Sequence, residues 1–413
     1  MPSLIQLYKK AYSGLARYNW YLSIVMLINR SGTMVVPFMT IYCINQLHFT
    51  VAQAGYIMAL FGAGSIVGAY VGGWLSDRIG FYDMQAVTLL TGGVMFIIVG
   101  YQTTFISLGI ATFILSFCNE AFRPANAMAV AHFSAPENKT RSYSLHRLAT
   151  NLGWAVGAAL GGLLASFNFH LLFWVDGCTN IFAALALMAL IPRANVSKPV
   201  KPRSDELKPA SAYKDKVYLI FIILITFFNL CFFQFFVMEP VFLKVQWHFN
   251  TKLIGLLLAS NGIIIALVEL VMINYLEGRR HMLQYIIYGI LVTGGGFTLL
   301  NILPPHPASG VLVVGIITFG EMVSMPFMNS FWISRSGERN RGQYAALYTM
   351  SWSAAQVLAP ILGGQIILWG SFTLLWYSLG GICLLVAVAL YLLYRLNYNN
   401  NKLGAALNER LIT

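Results

Sequence analysis

Residues 46–62, QLHFTVAQAGYIMALFG, return two hundred positions later as QWHFNTKLIGLLLASNG at 246–262. In that register Gln46, His48, Phe49, Gly55, Ala59 and Gly62 meet identical residues, and Asp77 meets Glu277. Further on, an offset of 202 lays Phe117 on Phe319, Pro124 on Pro326, and Leu-Gly-Gly at 160–162 on Leu-Gly-Gly at 362–364. Matches that include Gln, His and Pro at steady offsets are what a duplicated pair of membrane halves leaves behind.

Both halves are too apolar for water. The chain has 413 residues, 58% of them hydrophobic and 10% charged, where a soluble domain carries roughly 25% charged residues. A membrane-crossing helix takes about 20 mostly apolar residues. Twelve such spans are predicted, at 18–45, 51–76, 84–101, 105–131, 142–166 and 170–192, then 216–244, 251–275, 282–302, 309–335, 343–369 and 371–396. The expected fold is an all-α membrane protein of two pseudo-symmetric six-helix bundles, 1–192 and 216–413. They are joined by the Pro-, Lys- and Ser-rich segment 193–215, which reads as a flexible linker. The N-terminal stretch MPSLIQLYKKAYSGLARYNW lacks the continuous apolar core and cleavage site of a signal peptide.

Basic residues orient the spans. Of the 26 Lys and Arg, 21 lie in or at the edges of the two termini, the linker and the other connections on that same side. The opposite side holds Lys244 and Lys252. By the positive-inside rule both termini face the cytoplasm, and the net charge of +12 follows from topology without a nucleic-acid partner. The expected setting is the bilayer of a bacterial inner membrane, with the chain acting as a monomer.

Several function classes drop out. Cys43, Cys118, Cys178, Cys231 and Cys383 each stand alone in apolar runs, so neither a disulfide framework nor a metal site is indicated. The seven histidines do not cluster, no nucleophile–base pair stands out, and no cofactor motif is present. There is no Walker sequence GxxxxGK[ST], so the chain does not hydrolyse ATP to drive its own work. An enzyme is not expected.

Two motifs carry a family resemblance. After the second span the chain reads Gly73-Trp74-Leu75-Ser76-Asp77-Arg78-Ile79-Gly80, and in the fifth Gly153-Trp-Ala-Val-Gly157-Ala158-Ala159-Leu-Gly161-Gly162. The first resembles the loop signature of the major facilitator superfamily. The second resembles that family's antiporter motif GxxxGPxxGG, with Ala158 in place of proline. Two departures stand beside them. Phe81, Tyr82 and Asp83 follow the loop signature where basic residues are usual, and the fourth span lacks the arginine motif of proton-linked antiporters. The resemblance implies alternating access, with Gly73, Asp77, Arg78 and Gly80, and Glu277 as the weaker counterpart, forming a cytoplasmic gate. It also implies that spans 1, 4, 7 and 10 line a central cavity.

A charge at mid-bilayer costs about 3 kcal/mol or more and so faces a cavity or a partner. By these boundaries Arg30 lies near the centre of span 1, Glu120 near the centre of span 4 with Arg123 one turn on, and Glu321 near the centre of span 10. Glu239 lies on span 7. These residues, with Asn29 and Asn119 beside them, are the candidates for substrate binding or coupling. Arg30 either binds an anionic group or pairs with Glu120; Glu321 and Glu120 are the proton-exchange candidates. Glu269 on span 8 pairs with Arg147 or edges the cavity. Asp176 reads as a structural cap, and His48 and His248 as a shared structural position. Trp154, Tyr42, Phe232 and Phe235 either pack or wall a cavity for lipophilic cargo. Pro37, Pro124, Pro240, Pro326 and Pro360 are expected to kink their spans.

The expected activity is proton-coupled efflux of small amphipathic compounds or metabolites. The alternative is proton-coupled import of a polar or anionic small solute.

Overall fold

The computed structural model describes residues 6, 12–193, 211–337 and 340–412, so most of the linker lies outside the described residues. The helices are α1 Arg17–Ser31, α2 Val35–Asn45, α3 Val51–Ile79, α4 Phe81–Gly100, α5 Phe105–His132, α6 Lys139–Phe167, α7 Phe169–Leu190 and α8 Lys216–Val237. There follow α9 Glu239–Val245, α10 Thr251–Ile264, a π-helical turn Ile265–Glu269, α11 Leu270–Leu276, α12 Met282–Leu299, α13 Pro307–Arg335, α14 Arg341–Trp369 and α15 Phe372–Ile412. Among the described residues, ten helical segments are long and apolar enough to cross a membrane by length and composition. The fold is all-α and of the membrane type. Val87, Val94, Ile106, Ile110, Leu385 and Leu392 stand exposed, as lipid-facing side chains do, because hydrocarbon solvates them and water would not.

The expected first span is broken. α1 ends at Ser31, and α2 restarts at Val35 after Gly32-Thr33-Met34. The expected seventh span breaks likewise at Met238, between α8 and α9. Pro37 and Pro240 fall in the first turns of the restarted helices, where a missing N–H costs nothing. Pro124, Pro326 and Pro360 lie inside α5, α13 and α14.

The repeat is visible in backbone detail. His48 and His248 are the non-glycine residues with positive φ among the described residues, at 53° and 56°. Around His48, the Gln46, Leu47 and Phe49 amides donate to Tyr42, Tyr42 and Cys43 carbonyls. Around His248, the Gln246, Trp247 and Phe249 amides donate to Phe242, Phe242 and Leu243. One left-handed residue thus closes the same helix end twice, and its structural role is now explicit.

The structure divides into two compact units. The first comprises Met1–Lys214, Gly262–Tyr275 and Trp332–Val357; the second comprises Asp215–Asn261, Leu276–Phe331 and Leu358–Thr413. In the first, α3 lies against α5 because Gly64, Gly68 and Gly72 form a bare stripe. A Cβ on any of them would come within 2.3–2.5 Å of Phe113, Phe117 or Ala121 backbone. Small residues at this spacing let membrane helices pack by close contact where no hydrophobic drive exists between them. Met34, Met39, Tyr42, Ile57, Phe96 and Leu115 join in one buried cluster there. In the second unit α12 packs on α13 through Gly289 and Gly320, and on α15 through Gly294 and Gly380.

Candidate functional site

Asp77 stands in the last turn of α3 and its carboxylate accepts two backbone bonds from the start of α14. Oδ1 takes the Gly342 N–H at 2.7 Å and Oδ2 the Gln343 N–H at 3.0 Å. A helix N-terminus has orphan N–H groups and a partial positive charge, so a carboxylate is its natural partner. The approach needs two glycines. A Cβ on Gly73 would sit 2.4 Å from the Gly342 carbonyl oxygen, and one on Gly342 would sit 2.2 Å from that of Gly73. Gly80 follows with φ 93°, a conformation that lets α4 begin at once.

The rest of the loop motif turns elsewhere. The Arg78 guanidinium lies 3.8 Å over the Trp74 ring. Asp83, which breaks the usual basic pattern, pairs with Arg193 at 2.9 Å on the surface. Gln343 Oε1 accepts from Ser211 Oγ and the Ala212 N–H, both at 3.1 Å, and so ties down the end of the linker. Burial, then the neighbouring Tyr70 and Asp77, push the Tyr213 hydroxyl up to about 12. Burial and the Arg341 charge pull the Lys139 ammonium down. Glu277 sits in the turn after α11, ahead of Gly278 with its φ of 79°.

Deeper in the first unit the charges are sorted. Glu120 pairs with Arg123 one turn along α5 at 2.9 Å, and accepts from Ser353 Oγ at 3.2 Å. Among the described residues Arg30 has no ion-pair partner, and its Nε is buried with no acceptor. The alternative pairing of Arg30 with Glu120 is therefore corrected: Arg123 is nearer in sequence and holds that carboxylate. Arg147 on α6 meets Glu269, whose side chain is 2% exposed, at the end of the π-helical turn. This pair was one of the two expectations for Glu269. Asn29 donates to Asn180 Oδ1 at 2.9 Å. Asn29, Arg30, Thr33, Thr88, Asn119 and Asn180 share a cavity of ≈ 20 Å³, room for about one water.

The glycines of the fifth-span motif seat α6 against the broken first span. A Cβ on Gly153 would fall 2.6 Å from Arg30 Cβ, and one on Gly157 would fall 3.2 Å from the Arg30 and Ser31 carbonyl oxygens. A Cβ on Gly161 would fall 3.2 Å from the Met34 and Phe38 side chains, and Gly162 follows in the same helix. Asp176 of α7 completes the break. It is fully buried and accepts from the Met34 N–H at 2.9 Å and the Val35 N–H at 2.7 Å. It therefore caps α2 from another helix.

In the second unit Glu321 accepts from Asn261 Nδ2 at 2.8 Å, and the same amide group donates to Thr318 Oγ1 at 3.0 Å. Glu239, at the start of α9, is 1% exposed, and neither carboxylate oxygen has a hydrogen-bond partner among the described residues. Thus Arg30, Glu120, Arg123, Asn29 and Asn119 share the first unit, while Glu239 and Glu321 belong to the second. Sequence reasoning missed Ser353, Asn180, Asn261 and the amides of Gly342 and Gln343. Only Asn261 carried a signal, a lone amide in the apolar run LIGLLLASNGIIIALVEL.

A family model described as the Major Facilitator Superfamily matches residues 22–359. The chain belongs to the major facilitator superfamily. This transporter is 22% identical to Multidrug resistance protein 1 of Bacillus subtilis over 81% of the chain and 85% of that protein. It is 23% identical to a Na(+), Li(+), K(+)/H(+) antiporter of Planococcus maritimus over 84% of the chain and 91% of that protein. The human organic anion transporter MFSD10 shares its fold, with a TM-score of 0.71 at 14% identity, covering 90% of this chain and 98% of that one. The chain is thus a multi-pass membrane transporter of small molecules, and not an enzyme.

Proposed function

We propose that this transporter is a proton-coupled exporter of small amphipathic compounds or metabolites, working by alternating access in a bacterial inner membrane. Its termini lie in the cytoplasm, and it functions as a monomer of two six-helix halves joined by the basic linker. The observation that carries the reading is the Asp77 carboxylate on the N-terminus of α14, a bond between the two halves of the sequence. Two charge-assisted bonds to backbone N–H groups hold that end shut, and their loss opens it. Gly73 and Gly80 shape this gate, Arg78 flanks it on Trp74, and Glu277 occupies the counterpart position in the second half. The names of the two bacterial relatives, one a multidrug resistance protein and one a cation/proton antiporter, support export and proton exchange.

Proton coupling is assigned first to Glu321, which is buried and held by Asn261, and second to Glu120 and Glu239. A change in access from wet to closed raises the cost of a carboxylate charge and drives proton uptake. In proteoliposomes, an imposed proton gradient is expected to drive uptake of a fluorescent amphipathic dye against its own gradient. Proton and solute then move in opposite directions, and Glu321→Gln abolishes the coupled flux while preserving dye binding. Co-directional movement of proton and solute would assign import instead, and unchanged coupled flux in the variant would remove Glu321 from the mechanism.

A further inference from the structure

We propose that Arg30 is an anchor for the anionic head of the cargo, and that the ligand class this site takes is a small amphipathic carboxylate. The proposal rests on the transport reading above and names the cargo's chemistry.

The guanidinium charge of Arg30 is unmatched among the described residues. Arg30 and Arg123 lie within electrostatic reach of each other and of Glu120. That is two guanidinium groups against one carboxylate, and the carboxylate is engaged by Arg123 at 2.9 Å and by Ser353 at 3.2 Å. The neighbouring pair, Arg147 with Glu269, is neutral as a unit. Asp176 is the other buried acid beside the break, and it is committed to the Met34 and Val35 amides. Among the described residues no acidic group is left to pair with Arg30. Its Nε is buried without an acceptor, while the residue as a whole is partly exposed. Arg30 sits in the last turn of α1, where the helix dipole offsets roughly half an elementary charge. The remainder is a standing demand for an anion.

The surroundings define which anion. A guanidinium presents a planar fork of donors that fits a carboxylate in a bidentate way. Asn29, Thr33 and Asn119 add neutral polar groups in the adjoining cavity, and Leu89, Phe96 and Phe122 line its other walls. A volume of ≈ 20 Å³ admits a headgroup atom and not a whole solute, so the apolar body stays outside it. Gly153 holds the α6 backbone against the Arg30 stem, which fixes where the guanidinium emerges from the helix break.

The test uses the purified full-length chain in lipid nanodiscs and reads thermal unfolding and binding, with no gradient applied. Benzoate, benzamide and benzylammonium serve as a matched set of probes. Benzoate is expected to bind saturably and to raise the unfolding midpoint, and the other two to do neither. Arg30→Gln is expected to weaken benzoate binding by about tenfold or more, the loss of one charge-assisted contact. The same substitution is expected to raise the midpoint of the ligand-free chain, because it removes an unmatched charge. Arg30→Lys keeps the charge without the fork and is expected to bind benzoate more weakly than wild type. If Arg30→Gln does not fold, Arg30→Lys decides, and an unchanged affinity there overturns the proposal. Absence of saturable benzoate binding, equal binding of benzamide, or wild-type affinity in Arg30→Gln also overturns it. Benzoate binding without any coupled proton flux would leave this site standing and remove the proton-exchange reading; coupled dye flux without benzoate binding would do the reverse.

Discussion

Arg147 of α6 and Glu269 of the π-helical turn Ile265–Glu269 form a close ion pair across 122 positions of sequence, inside a single compact unit. A π-turn inserts an extra residue into a helix and re-aims the side chains around it, often at functional positions. Here the carboxylate at its end is nearly fully buried. Breaking a buried pair from one side leaves the other charge without its ion-pair partner and costs about 3–5 kcal/mol. Arg147→Leu and Glu269→Leu are each expected to lower the unfolding midpoint strongly. The double substitution is expected to recover most of that loss, and a double-mutant cycle on thermal unfolding measures the coupling. Additive losses would mean that the pair contributes no mutual stabilisation.

The gate contact makes a steric prediction as well as an electrostatic one. In Gly342→Ala the new Cβ lands 2.2 Å from the Gly73 carbonyl oxygen and 2.7 Å from Asp77 Cγ, so α14 has to withdraw. Asp77→Asn keeps the shape but removes the charge that the helix N-terminus favours, worth about 0.3–1 kcal/mol at exposed sites and up to ~2 when partly buried. Both variants are expected to widen the distance between spin labels placed at the Ile79 end of α3 and the Arg341 end of α14, with Gly342→Ala the larger. A distance distribution identical to wild type in both would show that this contact does not hold the end shut.

Much of the scaffold was legible because membrane physics writes it in composition. The apolar spans and the repeat around His48 and His248 both follow from hydropathy and period. The breaks did not, since the short stretch Asn29-Arg30-Ser31-Gly32-Thr33 between apolar segments also suits a continuous helix, and the cap that stabilises the break comes from Asp176, far along the chain. The intramembrane charges stood out in the sequence, and of their partners only Arg147 for Glu269 was among the expectations. Arg30 and Glu120 looked like a pair because both lie at mid-membrane, yet Arg123 one turn away takes the carboxylate. The partners of Asp77 are backbone amides, and every residue but proline has one, so no side-chain pattern announces them. The π-turn at Ile265–Glu269 has no compositional mark at all.

The fifth-span glycines separate packing from chance spacing. Gly153→Ala would bring a methyl group to 2.6 Å from Arg30 Cβ and 3.0 Å from the Leu27 carbonyl oxygen, displacing α6 from α1. Gly255→Ala, at a position with nothing within 4 Å of the new atom, is the matched control on another helix. The first is expected to lower the unfolding midpoint and transport rate together, and the second to leave both near wild type. Equal behaviour of the two in a transport and unfolding comparison would reduce the motif to incidental small residues.

The Asp176 cap is the device on which the broken first span depends, and it has a local readout. Its carboxylate takes the Met34 and Val35 amides, the first free N–H groups of α2, in a fully buried setting where an unmet donor costs about 1–3 kcal/mol each. Asp176→Ala is expected to release both, and Asp176→Asn to keep one acceptor and lose the negative charge that the α2 N-terminus favours. Hydrogen exchange at the Met34 and Val35 amides should therefore accelerate in the order wild type, Asn, Ala, with the amides of α4 unchanged. The position of Arg30 depends on the same break, because Thr33 Oγ1 donates to the Arg30 carbonyl at 2.6 Å. Loosening α2 is thus expected to weaken benzoate binding at Arg30 in the same order. Fast exchange at Met34 and Val35 with undiminished benzoate affinity would separate the cap from the anion site and leave Asp176 with a folding role alone.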